Sequence, residues 1–346
     1  MAKVPPRGST LLAVGLAAGL TIGAVPAHPA KTRPTVTVSI GYENAPDPEA
    51  VAIEQHFFQK YMHARVVLRY FSDGPLALTD LASGRLDFMT TLGNPPTASA
   101  IADGVPLRVV WAMERYTTAE GLVVSKSSHI TNLQQLKGKT VALVKGSTSP
   151  FELDTALKLH HIPLSSVTQL NMSPPEMVAA WKTHRLVAAY TWVPFVSAMA
   201  QSSGRMLMYD QNVYRQAPIF NLAVVNSKWA AAHPGLVEGF VAAEQAGVRF
   251  FHQHPQQAYA DMGKLNHITA AQAKAQAKGL SFTSLPQQLT LRRLGNLRTK
   301  SRSLVAKSLT AAVRWLYQTH QISHLPKNMS SYVAPRFAEA VLHGKG

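Results

Sequence analysis

The sequence of 346 residues predicts an α/β fold with a helical C-terminal third. Short apolar runs typical of strands alternate with stretches of helical length, which indicates strand–helix–strand units and parallel sheets. After Lys228 the pattern is almost entirely helical. In chain order, the predicted strands are 35–42, 65–71, 85–93, 107–113, 121–125, 140–146, 186–193 and 220–225, and the clearest helices are 49–62 and 150–161.

The first element, residues 1–27, is predicted to be a secretory signal peptide. Lys3 and Arg7 precede an apolar run over residues 11–25, and VPA at 25–27 offers small residues for cleavage. A membrane anchor is the alternative, but the run is short for a bilayer and rich in glycine and alanine. The chain also contains no cysteine, which excludes disulfides, thiol catalysis and a lipidated N-terminal cysteine. A secreted chain without an anchor is retained best in a periplasm, so a periplasmic location is predicted.

The charge of the chain is strongly positive. The formal net charge is +16, and removal of the two signal-peptide cations leaves 32 − 18 = +14. No acidic residue occurs between Met262 and Ala338, and the densest basic stretch, 292–302, has no aromatic residue. Nucleic-acid binding would favour aromatics among these cations, so no nucleic-acid partner is predicted. A solvated basic face, or adaptation to an acidic compartment in which carboxylates protonate, explains the charge better.

Several predicted strands end in a polar residue that is followed by proline and a helix. The pairs are Asp47-Pro48, Asn94-Pro95 and Ser149-Pro150, and each suits an N-cap with proline at the first helical position. The spacing S-x-x-E also predicts capping boxes at Ser149/Glu152 and Ser173/Glu176. Helix N-termini attract anions, and ligands of α/β sheets bind at the carboxyl ends of strands. These turns therefore predict either an anion site or plain helix caps.

Motifs for catalysis and metal binding are missing from the sequence. Gly138-Lys139-Thr140 resembles the end of a phosphate-binding loop, but position 133 is leucine and the following TVALV is a strand pattern. Neither G-x-S-x-G nor H-E-x-x-H occurs, although the chain has 14 histidines. The sequence therefore predicts no catalytic residue, no cofactor and no metal site.

One family resemblance covers nearly the whole chain, from about residue 35 to residue 337. It rests on VTVSIGYENAPDP, YFSDGPLALTDLASGRLDF, LGNPPTASAIADGVPLRVV, NLQQLKGKTVALVKGSTSPFE, LNMSPPEMVAAWKTHRLVAAYTWVP and LAVVNSKWAAAHPGLVEGF. In order and spacing, these segments resemble the periplasmic taurine/alkanesulfonate-binding proteins of ABC importers, within the nitrate/sulfonate/taurine group. The resemblance implies a type II periplasmic-binding fold with a ligand cleft between two α/β lobes. Lobe one would be 35–122 plus 225–346, and lobe two 123–224.

The resemblance also implies which residues line the cleft. They follow strands or lie at the crossovers between the lobes, and they are Tyr42, Glu43, Asn44, Leu92, Gly93, Asn94, Glu120, Ser147, Thr148, Phe151, Trp192, Pro194 and Asn221. Taurine binders carry an aspartate where this chain has Asn221, and that aspartate suits the ligand's ammonium group. Glu120 matches a family glutamate that could hold an amine instead. A ligand without an amine therefore competes with taurine.

The implied function is capture of a small sulfonate for an ABC permease in the inner membrane, by a monomer that is not an enzyme. Another small anion or a nitrogenous heterocycle, such as nitrate or a thiamine pyrimidine, is the alternative within transport. An enzyme of the pyrimidine-synthase type shares this architecture, but it depends on a cysteine-rich segment that this chain does not contain.

Overall fold

The computed structural model describes Met1 and residues 36–344, so the predicted signal peptide lies outside the described residues. Two sheets form the centre of the molecule. Sheet 1 has the order β11-β4-β10-β3-β1-β2, and sheet 2 the order β7-β6-β8-β5-β9. The strands of sheet 1 are β1 (Thr37–Tyr42), β2 (Arg65–Tyr70), β3 (Phe88–Gly93), β4 (Leu107–Tyr116), β10 (Phe220–Asn226) and β11 (Leu280–Ser281); those of sheet 2 are β5 (Glu120–Ser125), β6 (Thr140–Leu143), β7 (Thr168–Asn171), β8 (Ala188–Trp192) and β9 (Gly204–Tyr209).

Helices cover the sheets and dominate the C-terminal third, as predicted. They are α1 (Pro48–Glu54), α2 (Phe57–Met62), α3 (Gly74–Ala82), α4 (Asn94–Ala102), α5 (Thr148–Leu159), α6 (Pro174–Lys182), α7 (Phe195–Ser202), α8 (Ser227–Ala232), α9 (Pro234–Gln253), α10 (Pro255–Leu265), α11 (Ala270–Ala277), α12 (Leu285–Gln288), α13 (Leu304–Gln318) and α14 (Arg336–Leu342). The predicted helix 49–62 is divided, because His56 adopts a left-handed backbone with φ of 54° and begins α2 in a new direction. Among the described residues, no helix is both long and apolar enough to cross a bilayer.

The sheets are mixed, which corrects the prediction of parallel sheets. Strand β1 pairs in parallel with β2 and β3, and β6 pairs in parallel with β7 and β8. In contrast, β10 is antiparallel to β3 and β4, and β5 is antiparallel to β8 and β9. Strands β5 and β10 are the first strands that the chain forms after it passes from one sheet to the other. Both are antiparallel to their neighbours.

The chain changes sheets twice. It leaves sheet 1 after Tyr116 and enters sheet 2 at Glu120, and it returns between Tyr209 and Phe220. The lobe boundaries expected at 122/123 and 224/225 therefore fall inside β5 and β10, a few residues after each change. The division of the chain into moving lobes stays a prediction.

Helix starts agree with the predicted caps in two places and differ in two. Asp47 caps α1 by accepting from the Ala50 N–H, and the Ser173 N–H donates to the Glu176 carboxylate at 2.8 Å. At α5 the cap is Ser147 rather than Ser149, since the Ser147 hydroxyl accepts from the Ser149 N–H at 3.2 Å. The predicted box of Ser149 with Glu152 is therefore wrong.

At α4 the cap is likewise one residue earlier than predicted. Gly93 occupies the cap position, and Asn94 is the first helical residue. The side chain of a residue inside the helix does not accept hydrogen bonds from the N–H groups of the first turn. The Asn94 side chain is therefore available for contacts with other elements.

The apolar core extends from both faces of sheet 1 into sheet 2. On one face of sheet 1, Phe240 of α9 stacks on Phe88 with ring centroids 4.3 Å apart and on Phe58 at 5.2 Å. Burying each such ring stabilises the fold by about 1.5–3 kcal/mol. The other face shares one core with sheet 2. In it, the rings of Phe151 on α5 and Trp315 on α13 lie 5.2 Å apart.

Candidate ligand-binding cleft

A narrow cleft lies where strands of both sheets end, and the space in it and at its open mouth amounts to about 330 Å³. The sheet 1 side contributes more of the lining than the sheet 2 side. The lining residues are Glu43, Asn44, Gly74, Pro75, Thr91, Gly93, Pro96, Tyr116 and Asn221 on the first side and Ser147, Thr148 and Trp192 on the second. None of these residues is a lysine, an arginine or a histidine.

Three helix N-termini converge on the cleft. Gly74 and Pro75 begin α3, Gly93 precedes α4, and Ser147 precedes α5, and all four residues are in the lining. The helices have nine, nine and 12 residues. Each N-terminus carries roughly half a positive charge on unpaired amide groups. Together they supply hydrogen-bond donors to an anion without a formal cation.

The two sides of the cleft touch each other closely. A methyl group added to Gly93 would lie 2.7 Å from Cγ2 of Thr148, so alanine at this position would require α5 or the Thr148 side chain to move away from β3. Gly146 has a left-handed φ of 80°, and a methyl group there would lie 3.6 Å from Pro75. Of the stretch KGSTSPFE at 145–152, Ser147 and Thr148 therefore line the cleft, and Gly146 lies against the start of α3.

Thr91 and Glu43 form a constrained corner of the lining. Thr91 has a φ of 52°, which is rare for a β-branched residue and indicates strain held by its surroundings. Its hydroxyl accepts a hydrogen bond from the Glu43 N–H at 3.2 Å. Burial, and then the nearby Asp73 and Glu120, raise the pKa of the Glu43 carboxyl well above its usual range. A neutral Glu43 can donate a hydrogen bond into the cleft.

Asn221 is bonded to two side chains of β4, the neighbouring strand. Its amide nitrogen donates to Oε1 of Glu114 and to the hydroxyl of Tyr116, both at 2.7 Å. Both amide hydrogens are therefore used, and the amide oxygen is the group left to face a ligand. Burial is the main cause that raises the pKa of Glu114 well above its usual range.

Glu120 lies behind the lining. Its carboxylate accepts from the Thr148 hydroxyl at 2.7 and 2.8 Å and from the Ser149 hydroxyl at 2.6 Å. Burial raises its pKa to about 7, although these hydroxyls act in the opposite direction. Glu120 thus holds the first turn of α5 in place, and this occupied carboxylate does not lie where it could receive a ligand's amine.

Seven of the residues expected in the cleft are in its lining: Glu43, Asn44, Gly93, Ser147, Thr148, Trp192 and Asn221. The other six are outside it: Tyr42, Leu92, Asn94, Glu120, Phe151 and Pro194. Leu92 and Phe151 belong to the core. Asn94 donates to the carbonyls of Pro218 at 3.1 Å and Ser308 at 3.3 Å, and so joins α4 to α13.

The remaining two expected residues have local roles. The ring of Tyr42 lies 5.8 Å from that of Tyr70 on β2, and Pro194 is the residue before α7. Trp192 precedes Pro194 at the end of β8 and lies in the lining, where it offers a broad apolar face.

Sequence reasoning missed five lining residues: Gly74, Pro75, Thr91, Pro96 and Tyr116. Asp73-Gly74-Pro75 carries the same signal of a polar residue and a proline after a strand as the turns that were recognised. Asp73 does cap α3, because its carboxylate accepts from the Leu76 N–H at 3.3 Å. The strain at Thr91 leaves no signal in a single sequence.

Most carboxyl groups of the protein are buried. Eleven of the 18 acidic residues are affected: Glu43, Asp47, Glu49, Asp73, Glu114, Glu120, Glu152, Asp154, Asp210, Glu244 and Asp261. The ion pairs within residues 36–344 involve only Asp80 and Glu54 on the acidic side, so none of these eleven has a cationic partner within 4.0 Å. Burial raises the pKa of Asp47 to about 7 and that of Asp210 to about 8. Unpaired buried charge is costly, so burial favours the neutral form of Asp47 and Asp210.

No group of three or more histidine, aspartate or glutamate side chains within residues 36–344 is arranged to hold a metal ion. The cleft combines amide and hydroxyl donors, a carboxyl whose pKa is raised by burial and one indole face. This chemistry suits binding of a small anion with a short apolar part.

The two mixed sheets and the cleft at their strand ends define a protein of the periplasmic binding protein fold. The chain belongs to the NMT1/THI5 like family, whose model matches residues 49–258. It is 28% identical to the taurine-binding periplasmic protein of Escherichia coli K12, with 88% of this chain and 93% of that protein covered. It is 26% identical to a putative aliphatic sulfonates-binding protein of Bacillus subtilis 168, over 66% of this chain and 70% of that protein.

One similar solved structure is the alkanesulfonate-binding protein SsuA from Xanthomonas axonopodis pv. citri bound to MOPS. It has a TM-score of 0.70 and 19% identity to this chain, and the match covers 86% of this chain and 98% of that one. At this identity, the likeness concerns the fold.

Proposed function

We propose that this protein is the periplasmic substrate-binding component of an ABC importer and captures a small sulfonate. The convergence of three helix N-termini on a cleft that has no cationic side chain carries this proposal. Such a site binds an oxyanion through oriented amides, whose attraction is strengthened where water is excluded. Similarity to taurine- and sulfonate-binding proteins agrees with this chemistry.

In the proposed complex, the sulfonate lies at the starts of α3, α4 and α5, and the carbon chain lies against Trp192. A neutral Glu43 donates a hydrogen bond to the anion. The amide oxygen of Asn221 is the group available to accept from an ammonium, but it has no charge to pair with it. The cleft therefore takes amine-free sulfonates about as well as taurine.

The cleft closes by movement of two lobes that correspond to the two sheets. We place the connections at 117–119 and 210–219, where the chain passes between the sheets. The loaded protein, a monomer, delivers its ligand to a permease in the inner membrane. It has no catalytic role in this proposal.

The test is a thermal-shift screen followed by calorimetric titration. The ligands are taurine, ethanesulfonate, sulfate, nitrate and a thiamine-type pyrimidine, and stabilisation should follow the logarithm of ligand concentration over Kd. We expect shifts with taurine and ethanesulfonate of similar size, because the two differ only in the amine. A shift with the pyrimidine alone, and none with any anion, would overturn the proposal.

A further inference from the structure

A pocket rich in arginine lies outside the cleft, and we call it the arginine pocket. It is bounded by the end of β4, the segment before β10, β11 and the residues around α12, and its polar lining includes Arg115, Arg292, Arg293, Tyr214 and Thr283. No acidic residue is in its lining. Side chains alternate along a strand, so Arg115 points away from the face on which its neighbour Tyr116 lines the cleft.

Two polar groups of the pocket are buried without a partner. Nε of Arg115 and the hydroxyl of Tyr214 have no hydrogen bond to any described residue, although water does not reach them. The Arg115 guanidinium lies over the Tyr214 ring, 4.7 Å from its centroid, so both groups are held in place. Buried donors without acceptors are uncommon in folded proteins, and here both adjoin a cavity.

The positive charges of the pocket are not neutralised by a carboxylate. Arg293 is buried, and its guanidinium donates to the Ser281 carbonyl at 2.9 Å and the Thr283 hydroxyl at 3.1 Å. Burial, and then the like charge of Arg115, lower the pKa of Arg293 to about 10. Within residues 36–344, no ion pair involves Arg115, Arg292 or Arg293. The cluster therefore attracts an external anion.

The donor set fits a tetrahedral oxyanion. Guanidinium groups bind such anions through two parallel N–H donors. Arg115 and Arg292 offer these donors, because Arg293 already donates to Ser281, to Thr283 and to the Arg292 carbonyl. Thr283 accepts from Arg293 and from Gln288, which leaves its own hydroxyl hydrogen for an acceptor in the pocket. We propose that the arginine pocket is a second anion site, separate from the cleft, which binds a doubly charged oxyanion such as inorganic phosphate or sulfate.

The position of the pocket gives such binding a structural effect. Arg115 lies just before the connection that leaves sheet 1, and Tyr214 lies in the segment that returns to it. An anion held between them fastens both connections between the sheets to the C-terminal helices.

The experiment titrates the purified protein with sodium phosphate and with sodium sulfate at constant ionic strength, with chloride as the balancing anion. Arg292→Gln removes an exposed guanidinium, and we expect it to weaken phosphate binding about tenfold, as for loss of a charged hydrogen bond. Arg298→Gln is the matched control, because it removes the same charge from an exposed site outside the pocket. Tyr214→Phe removes only the unpartnered hydroxyl, and it should reduce the thermal shift caused by phosphate while leaving the melting temperature without phosphate unchanged or higher.

Two further titrations with phosphate distinguish binding in the pocket from binding in the cleft. One uses the cleft variant Trp192→Ala, and the other uses unaltered protein whose cleft is saturated with ethanesulfonate. The proposal requires that phosphate still binds to the pocket in both cases. It is overturned if phosphate binding is lost with Trp192→Ala but unaffected by Arg292→Gln, or if Arg298→Gln weakens it as much as Arg292→Gln does. Absence of any phosphate or sulfate binding to the unaltered protein also overturns it.

Discussion

Replacement of Glu120 by glutamine should make the protein's stability less sensitive to pH. Glu120 is buried, is bonded to the hydroxyls of Thr148 and Ser149, and has its pKa raised to about 7 by burial. A carboxyl whose pKa is raised on folding contributes stability that is fully present below its unfolded pKa. This stability is lost as the pH rises through the folded pKa, because the unfolded chain then releases its proton more readily.

The size of the effect follows from the ordinary pKa of 4.5 for this carboxyl. A rise to about 7 corresponds to about 3 kcal/mol of stability lost between pH 4 and pH 8. In a chain of this length, that loss lowers the melting temperature by about 5 °C. Glutamine cannot ionise and keeps one acceptor oxygen for the two hydroxyls. Between pH 4 and pH 8, the melting temperature of the variant should therefore fall by about 5 °C less than that of the unaltered protein.

The assay is thermal unfolding followed by circular dichroism at pH 4, 5, 6, 7 and 8. The difference between the variant and the unaltered protein is the quantity to compare, since repulsion among surface cations is common to both. Asp103→Asn provides the control, because Asp103 is exposed. Parallel pH profiles for Glu120→Gln and the unaltered protein would refute the reasoning.

Three further predictions concern the cleft. Asn221→Asp should increase the preference for taurine over ethanesulfonate in calorimetric titrations, because a carboxylate can pair with the ammonium group of taurine. A strong preference for taurine in the unaltered protein would show that another group already holds the amine. Ser147→Ala should lower the free energy of unfolding by about 1 kcal/mol in urea titrations, since the Ser149 N–H loses its cap; an unchanged midpoint would contradict this role. Gly93→Ala should weaken ligand binding at least tenfold, because the added methyl group meets Thr148 across the cleft, and it should cost little stability in the absence of ligand. Unchanged affinity would mean that the two sides of the cleft do not need to approach this closely.

The sequence predicted the α/β class and the helical C-terminal third because both depend on long repeated patterns. The sequence also predicted cleft residues at strand ends next to helix starts, and of these Gly93 and Ser147 line the cleft. Asn94 was predicted there too, but it lies outside the lining because α4 starts one residue earlier and the Asn94 side chain bonds to α13. Local composition does not predict a helix start to within one residue, yet a shift of one residue decides which side chain faces a ligand.

Long-range contacts account for the other differences. Nothing near Glu120 in the sequence shows that the hydroxyls of α5 will occupy its carboxylate. In the same way, Phe151 packs on Trp315, which lies far along the chain. The burial of eleven carboxyls was not predicted, because it depends on contacts between distant parts of the chain.

The contact between α5 and α13 has a consequence for the time a ligand remains bound. Nε1 of Trp315 donates to Oδ2 of Asp154 at 3.0 Å in the interior, and α13 also packs on α4. Helix α13 therefore packs on α4, which follows a strand of sheet 1, and on α5, which follows a strand of sheet 2. These contacts oppose separation of the two sheets. If the ligand leaves only when the cleft opens, its dissociation rate depends on breaking this hydrogen bond. Trp315→Phe should then speed up release, although neither partner of the bond touches the ligand.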